Sequence, residues 1–205
     1  MAAPVPERRF KNPAIFVCDI QEKFRPAIFE FDKVIFTTRK LLLASTHLSI
    51  PIYVTTQNRS RLGDTVAELQ PLLASAGPLV RADLDKTRFS MYLPGIASQL
   101  PPKSEIAIVG IESHICVTQT ALDLLGAGHR VYIIADGVSS TRREEIGIAL
   151  ARLRQAGAVV TTSESWLYEL MGDAAIPEFK GIVSVVKETQ QGTGEALRGL
   201  LGSKM

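Results

Sequence analysis

Cys116, Asp19 and Lys86 are the residues with which this chain could do covalent chemistry. Cys116 sits where the apolar run Glu105-Ile106-Ala107-Ile108 gives way, across Val109-Gly110-Ile111-Glu112-Ser113-His114-Ile115, to a segment that is apolar at helical spacing. The first N–H groups of a helix lack internal partners and the helix dipole adds positive charge there, so a thiolate at that place is stabilised. A small apolar residue filling a strand–helix junction is the plain alternative, since free cysteine is commonly buried. Asp19 closes the apolar run that starts at Pro13, and Lys86 follows a weaker strand over residues 79–84. An acid, a lysine and a thiol at three strand ends suit nucleophilic catalysis. Asp19 would accept the thiol proton, Lys86 would hold the charge balance, and backbone N–H groups of the 110–116 turn would face an oxyanion. Taken singly, Asp19 also reads as a structural cap and Lys86 as a solvated loop cation.

Those three residues need a scaffold that collects strand ends. The periodicity predicts strands over 13–19, 51–56, 79–84, 105–108, 130–135 and 158–162, most of them continuous apolar runs of the kind buried on both faces of a parallel sheet. Between them it predicts helices over 31–48, 65–73, 116–127 and up to 156, then 163–171 and 177–187, with a helical turn at 96–100. Thr141-Arg142-Arg143-Glu144 has the form of a capping box, and Asp136 reads as a cap on a turn. The alternation implies an α/β fold: a three-layer α-β-α sandwich with a doubly wound, mainly parallel sheet of about six strands. In such sheets ligands sit beyond the carboxyl ends of the strands. That rule places Asp19, Gln57, Lys86 and Cys116 on the functional face and His47 and His129 on the opposite one. His114 lies on the functional side, yet two residues from Cys116 it does not face the thiol, so it is expected to line the pocket rather than act as base. Phe24, Gln57 and Tyr92 are the other expected pocket residues. Cys18, inside the first strand, reads as core.

Composition narrows the class. The 205 residues carry 23 Lys and Arg against 21 Asp and Glu, a net charge of +2 that gives no ground for nucleic-acid binding. Two distant cysteines and three scattered histidines offer no disulfide framework and no metal spacing. No cofactor is expected; the first strand is followed by Asp19-Ile20-Gln21-Glu22-Lys23, not by a glycine-rich phosphate loop. No signal peptide or membrane-length apolar run is visible, so a cytoplasmic protein is expected. Ser203-Lys204-Met205 is close to a peroxisomal address. The chain reads as one domain over 1–205, with loosely ordered tails at 1–12 and 188–205.

The segments Phe16-Val17-Cys18-Asp19-Ile20-Gln21-Glu22-Lys23-Phe24, Lys86-Thr87-Arg88-Phe89-Ser90-Met91, Gly110-Ile111-Glu112-Ser113-His114-Ile115-Cys116-Val117 and Ala135-Asp136-Gly137-Val138-Ser139-Ser140 together resemble the isochorismatase-like cysteine hydrolase family, most closely its short eukaryotic isochorismatase-domain proteins. The resemblance implies a Rossmann-like fold and a triad of Asp19, Lys86 and Cys116. It also implies an oxyanion hole from the backbone N–H groups of Glu112 and Cys116, a non-proline cis peptide between Ile111 and Glu112, and a homo-oligomer (dimer or tetramer). Nicotinamidases of the family carry a metal-binding Asp-x-His element after the second strand; this chain has Gln57-Asn58-Arg59, so no metal site is expected. Bacterial isochorismatases carry glycine where Cys116 stands and cleave a vinyl ether with the acid alone. The expected function is therefore hydrolysis of a small amide or related acyl compound through a cysteine thioester. The alternatives are isochorismate hydrolysis with Asp19 as general acid, or a catalytically silent binding protein.

Overall fold

A computed structural model describes residues 8–202. Six strands form one parallel sheet: β1 (Pro13–Cys18), β2 (Ile52–Gln57), β3 (Val80–Lys86), β4 (Glu105–Ile111), β5 (Arg130–Ser139) and β6 (Val159–Thr161). Their order is β3-β2-β1-β4-β5-β6. Eight α-helices connect and cover them: α1 (Phe31–Leu48), α2 (Arg59–Leu62), α3 (Gln70–Ala76), α4 (Pro94–Ala97), α5 (Thr118–Gly126), α6 (Arg143–Gln155), α7 (Ser163–Met171) and α8 (Phe179–Ala196). The expected three-layer sandwich is present. Strand residues alternate between two apolar cores even where the sequence is apolar throughout. Ile15, Val17, Ile52, Val54, Ala107 and Val109 pack on α1, α7 and α8. Phe16, Cys18, Tyr53, Ile106, Ile108 and Ile133 pack on α5 and α6. The strand order reverses between β1 and β4, and their ladder runs from Pro13↔Glu105 to Cys18↔Gly110. The crevice of such a sheet opens at that reversal, which is where Asp19 and the turn to Cys116 leave their strands.

Several elements differ from the sequence reading. The loop after β2 contains α2, and the helix expected over 65–73 is α3, shifted toward its C-terminal end. β5 runs on through Asp136 to Ser139, so Asp136 lies inside a strand and is fully buried. Its carboxylate accepts from the Ser163 N–H (2.7 Å) and hydroxyl (2.6 Å), capping the start of α7 rather than a local turn. The capping box does not form. Arg142 is the N-cap residue of α6, and the Thr141 hydroxyl donates to Glu112 Oε1 at 2.6 Å instead.

Neither tail is loose where it is described. Phe10 is buried against Tyr132 and Trp166, with ring centroids 5.1 and 6.3 Å away. Beyond Glu188 the chain continues α8 to Ala196 and a π-turn over Leu197–Leu201. Gly192 and Gly194 read as looseness in the sequence, but a Cβ at Gly192 would come 2.2 Å from the Phe36 ring. The glycine lets α8 lie against α1. The buried Lys40 ammonium donates to Ser163 Oγ and Thr193 Oγ1 (3.2 Å each), and Lys33 pairs with Glu195 at 2.7 Å, so α1 holds the far end of α8 by polar contacts. Ser203-Lys204-Met205 lies outside the described residues. No helix among them is long and apolar enough to cross a membrane.

His129, just before β5, gives the fold a pH dependence. The ring is buried, Nδ1 accepts the Ser104 N–H at 3.2 Å, and Tyr92 packs edge-on at 5.9 Å. Burial lowers its pKa below 6.5. The unfolded chain then binds the proton at a higher pH than the folded one, so stability is lost as pH falls below about 6.5. In urea titrations between roughly pH 5 and 7 the wild-type midpoint is expected to fall more steeply with acid than that of His129→Gln. Parallel curves would remove His129 from the account.

Candidate active site

The site is built from four strand ends. Asp19 follows β1 directly, its backbone in the left-handed region at φ 55 and its N–H donating to Thr55 O at 3.1 Å. That conformation is uncommon for a residue with a side chain, and it turns the carboxylate out of the strand's alternation. Lys86 ends the edge strand β3, two strands away. Only a long side chain spans that gap, and its Nζ donates to Asp19 Oδ2 at 2.7 Å. Both side chains are 1% exposed.

Every polar atom of this pair is engaged. Asp19 Oδ1 accepts the Thr55 hydroxyl at 2.7 Å. Besides Asp19, Lys86 Nζ faces Gln57 Oε1 (2.7 Å), Phe89 O (2.9 Å) and Arg88 O (3.1 Å). An ammonium has three donors and no acceptor, so an environment made only of acceptors fixes Lys86 as a cation. Burial works against that charge, but the negative charge that Cys18, Asp19 and Cys116 can carry outweighs it and raises the lysine's pKa. Held in this way, Lys86 can supply positive charge but has no lone pair with which to take a proton.

Cys116 enters from the other side of the strand reversal. Residues Ser113–Val117 form a π-turn whose N-cap, Glu112, is also left-handed (φ 54). The Ile115 and Val117 N–H groups donate to Glu112 O at 2.9 and 3.3 Å. The single π-turn places Cys116 in the same apolar cluster as Cys18, 6% exposed, and within electrostatic reach of Lys86. Thr120 Oγ1 donates to Cys116 O (2.6 Å) and accepts the Met91 N–H (2.9 Å), tying the loop after Lys86 to the helix after Cys116. The cis peptide expected between Ile111 and Glu112 is not there: no peptide among the described residues is cis. The unusual geometry of the turn sits instead in the left-handed Glu112 and the π-turn that follows it.

The other expected pocket residues are placed differently. Gln57 uses Oε1 on Lys86 and Nε2 on Thr87 O (2.9 Å), which fixes its carboxamide beside the ion pair. Tyr92 turns its ring to His129 and borders a shallow groove with Arg88, Leu122 and Gly126, on the outside of α5. Phe24 ends a one-turn 3₁₀ helix after Asp19, half-buried against the α1-side core. His114, 29% exposed in its side chain, approaches Ser140 Oγ (3.1 Å) and Glu112 Oε2 (3.4 Å) at the rim. A cavity of about 690 Å³ between α6, β6 and the C-terminal turn is lined by none of the three expected catalytic residues.

Three residues that matter here were missed. Thr55 orients Asp19. Gln21 accepts the Gln57 N–H (2.6 Å) and donates to Gln57 O and Gly63 O. Cys18 reads as core in the sequence, yet its thiol lies 3.6 Å from Asp19 Oδ2 and in the same cluster as Cys116, within interaction range of that thiol. The signal for Thr55 was available, since Thr55-Thr56 ends an otherwise apolar strand. Where the family's metal element would fall, the Arg59 guanidinium contacts Asp83 (2.5 Å), Asp64 (3.4 Å) and Thr56 Oγ1 (3.0 Å). No group of three or more His, Cys, Asp or Glu among the described residues is arranged to hold a metal ion.

Comparison with known proteins places the chain in a family. The model of the isochorismatase domain family matches residues 13–165. The chain is 42% identical over 181 residues to the secreted isochorismatase effector Isc1 of Phytophthora sojae (strain P6497), covering 86% of this chain and 85% of that protein. It is 37% identical over 187 residues to isochorismatase domain-containing protein 2 of Xenopus laevis, covering 90% and 88% of the two. The solved structure of MAR1 ribonuclease from Caenorhabditis elegans aligns with a TM-score of 0.80 at 38% identity, over 88% of this chain and 93% of that one.

Proposed function

The chain belongs to the isochorismatase family, and from that membership we propose that it hydrolyses a small amide or related acyl compound through a thioester on Cys116. The observation that carries this reading is the Lys86–Asp19 ion pair at 2.7 Å with a cysteine beside it. A carboxylate has about four acceptor sites, and Thr55, Lys86 and the Cys18 thiol take one each. Asp19 therefore keeps room to accept the proton of the Cys116 thiol. The sulfur attacks the substrate carbonyl, and the N–H groups of Glu112 and Cys116 hold the oxyanion. Asp19 returns the proton to the leaving amine, then takes one from the water that cleaves the thioester. Lys86, unable to accept a proton, lowers the energy of each anionic species. Burial of all three residues limits the reacting centre to small groups.

The presence of Cys116 is what favours the thioester route over isochorismate hydrolysis, which needs only Asp19 as general acid. A net charge of +2 gives no ground for an RNA substrate, so the ribonuclease name of the structural neighbour is not carried into this reading. A silent binding protein would have no use for a buried ion pair aimed at a thiol. A homo-oligomer belongs to the same reading, as the family resemblance implies.

Cys116→Ala separates the chemistries. With a panel of small amides, nicotinamide included, its turnover is expected to fall by roughly 10³-fold or more, with unfolding free energy changed by about 1 kcal/mol. Amide turnover that survives in this variant would sink the nucleophile assignment. Isochorismate turnover that survives would place the protein with the vinyl-ether hydrolases.

A further inference from the structure

Cys18 is the one reactive group of the site for which the hydrolytic cycle has no use. It ends β1 with its side chain in the same cluster as Cys116, not on the α1 side of the sheet. Its surroundings are not those of a filler. The thiol sits 3.6 Å from Asp19 Oδ2 and shares its apolar cluster with Cys116, whose thiol lies within interaction range, and both lie within the field of Lys86. The strand beside it is pressed close: a Cβ on Gly110 would fall 2.7 Å from Cys18 Cβ. Cys18 has no exposed surface, whereas Cys116 is 6% exposed. A reagent from solvent therefore meets Cys116 first.

We propose that Cys18 and Cys116 are a peroxide-reactive dithiol, in which Cys18 resolves oxidised Cys116 into an intramolecular disulfide. The proposal rests on the reading of Cys116 as the reactive thiol. In the first step the Cys116 thiolate attacks one oxygen of hydrogen peroxide. The S–O bond forms, the O–O bond breaks, and hydroxide leaves and is protonated to water. Cys116 has lost two electrons and become a sulfenic acid, and the peroxide has been reduced. In the second step Cys18 gives its proton to Asp19 and attacks the Cys116 sulfur. The S–S bond forms, the S–O bond breaks, and the oxygen departs as water with the proton from Asp19. The sum is two thiols and one peroxide giving one disulfide and two waters. Burial first, then the contact with Cys116 and the charge of Asp19, push the Cys18 thiol well above its ordinary value. At rest it stays protonated and leaves the nucleophilic role to Cys116. The disulfide removes the nucleophile reversibly, and the sulfinic acid that cannot be reduced is avoided.

The test treats the purified full chain and its Cys18→Ala variant with hydrogen peroxide, blocks remaining thiols with iodoacetamide, and maps both cysteines by mass spectrometry with and without dithiothreitol. The wild type is expected to give a Cys18–Cys116 linked peptide pair. Its iodoacetamide labelling at Cys116 falls to near zero and returns in full with dithiothreitol. Cys18→Ala is expected to pass on to the sulfinic acid, which dithiothreitol does not restore. A wild type whose Cys116 alkylates readily before oxidation, yet forms the sulfinic acid with no disulfide, overturns the dithiol alone. So does a disulfide found only between two chains. A Cys116 inert to both iodoacetamide and peroxide overturns the nucleophile reading and the dithiol with it.

Discussion

Asp19→Asn is expected to lower turnover of every substrate the protein accepts, amide or vinyl ether, by roughly 10³-fold or more. The two chemistries use Asp19 differently, as base toward Cys116 or as acid toward an ether oxygen, but neither proceeds through a carboxamide. Asn tolerates the left-handed backbone that Asp19 adopts at φ 55, so the variant tests the proton rather than the turn. It also leaves the Lys86 ammonium buried beside a neutral group. Breaking a buried pair from one side costs about 3–5 kcal/mol. A double variant, Asp19→Asn with Lys86→Met, removes both charges and is expected to recover most of that stability and none of the activity. Denaturant titrations beside turnover measurements read the two effects apart. If the double variant regained turnover as well as stability, Asp19 would be structural and the mechanism wrong.

Gly110→Ala is expected to be the most disruptive single-methyl change in the site. Gly110 has φ +137, and a Cβ there would stand 2.2 Å from the Cys18 carbonyl oxygen and 2.7 Å from its Cβ. The obstructing atoms are mostly backbone, so no rotamer change relieves them. β1 and β4 must part at the point where Cys18 and Gly110 pair. Strain of this kind costs about 3 kcal/mol or more. Because Asp19 leaves β1 and Cys116 leaves β4 within a few residues of that contact, activity should fall further than stability does. Urea midpoints and turnover of Gly110→Ala check this. A variant as stable and active as wild type would mean that the strands have more room than the structure gives them.

The sequence alone carried the fold class and the placement of three candidate residues at strand ends. Continuous apolar strands alternating with amphipathic helices admit few arrangements other than a doubly wound parallel sheet. In that arrangement, strand-end residues such as Asp19, Lys86 and Cys116 share one edge whatever the strand order. Their side chains are short in sequence distance from the strand that aims them, which is why they were legible. What depended on distant partners was not. Gln57 reads as pocket lining, and the sequence does not show that its amide also holds Lys86 and Thr87, contacts that exist only once β2 and β3 pair in register at Gln57↔Lys86. Cys18 looked like core because period-2 alternation assigns a face without naming the neighbour across it; the neighbour, Cys116, is 98 residues away by its numbering and meets it only through the β1–β4 contact. Thr141 looked like a helix cap, yet Glu112 competes for its hydroxyl from another strand end. The stretch after Glu188 looked loose because its glycines and threonines have weak intrinsic helix propensity. It is a helix because Phe36 needs the space at Gly192, and Lys40 and Lys33 hold Thr193 and Glu195. Local pattern fixes which elements form and where their ends point. The pairing of those ends, and with it the charge and reactivity of the site, is decided by long-range packing that no window of sequence contains.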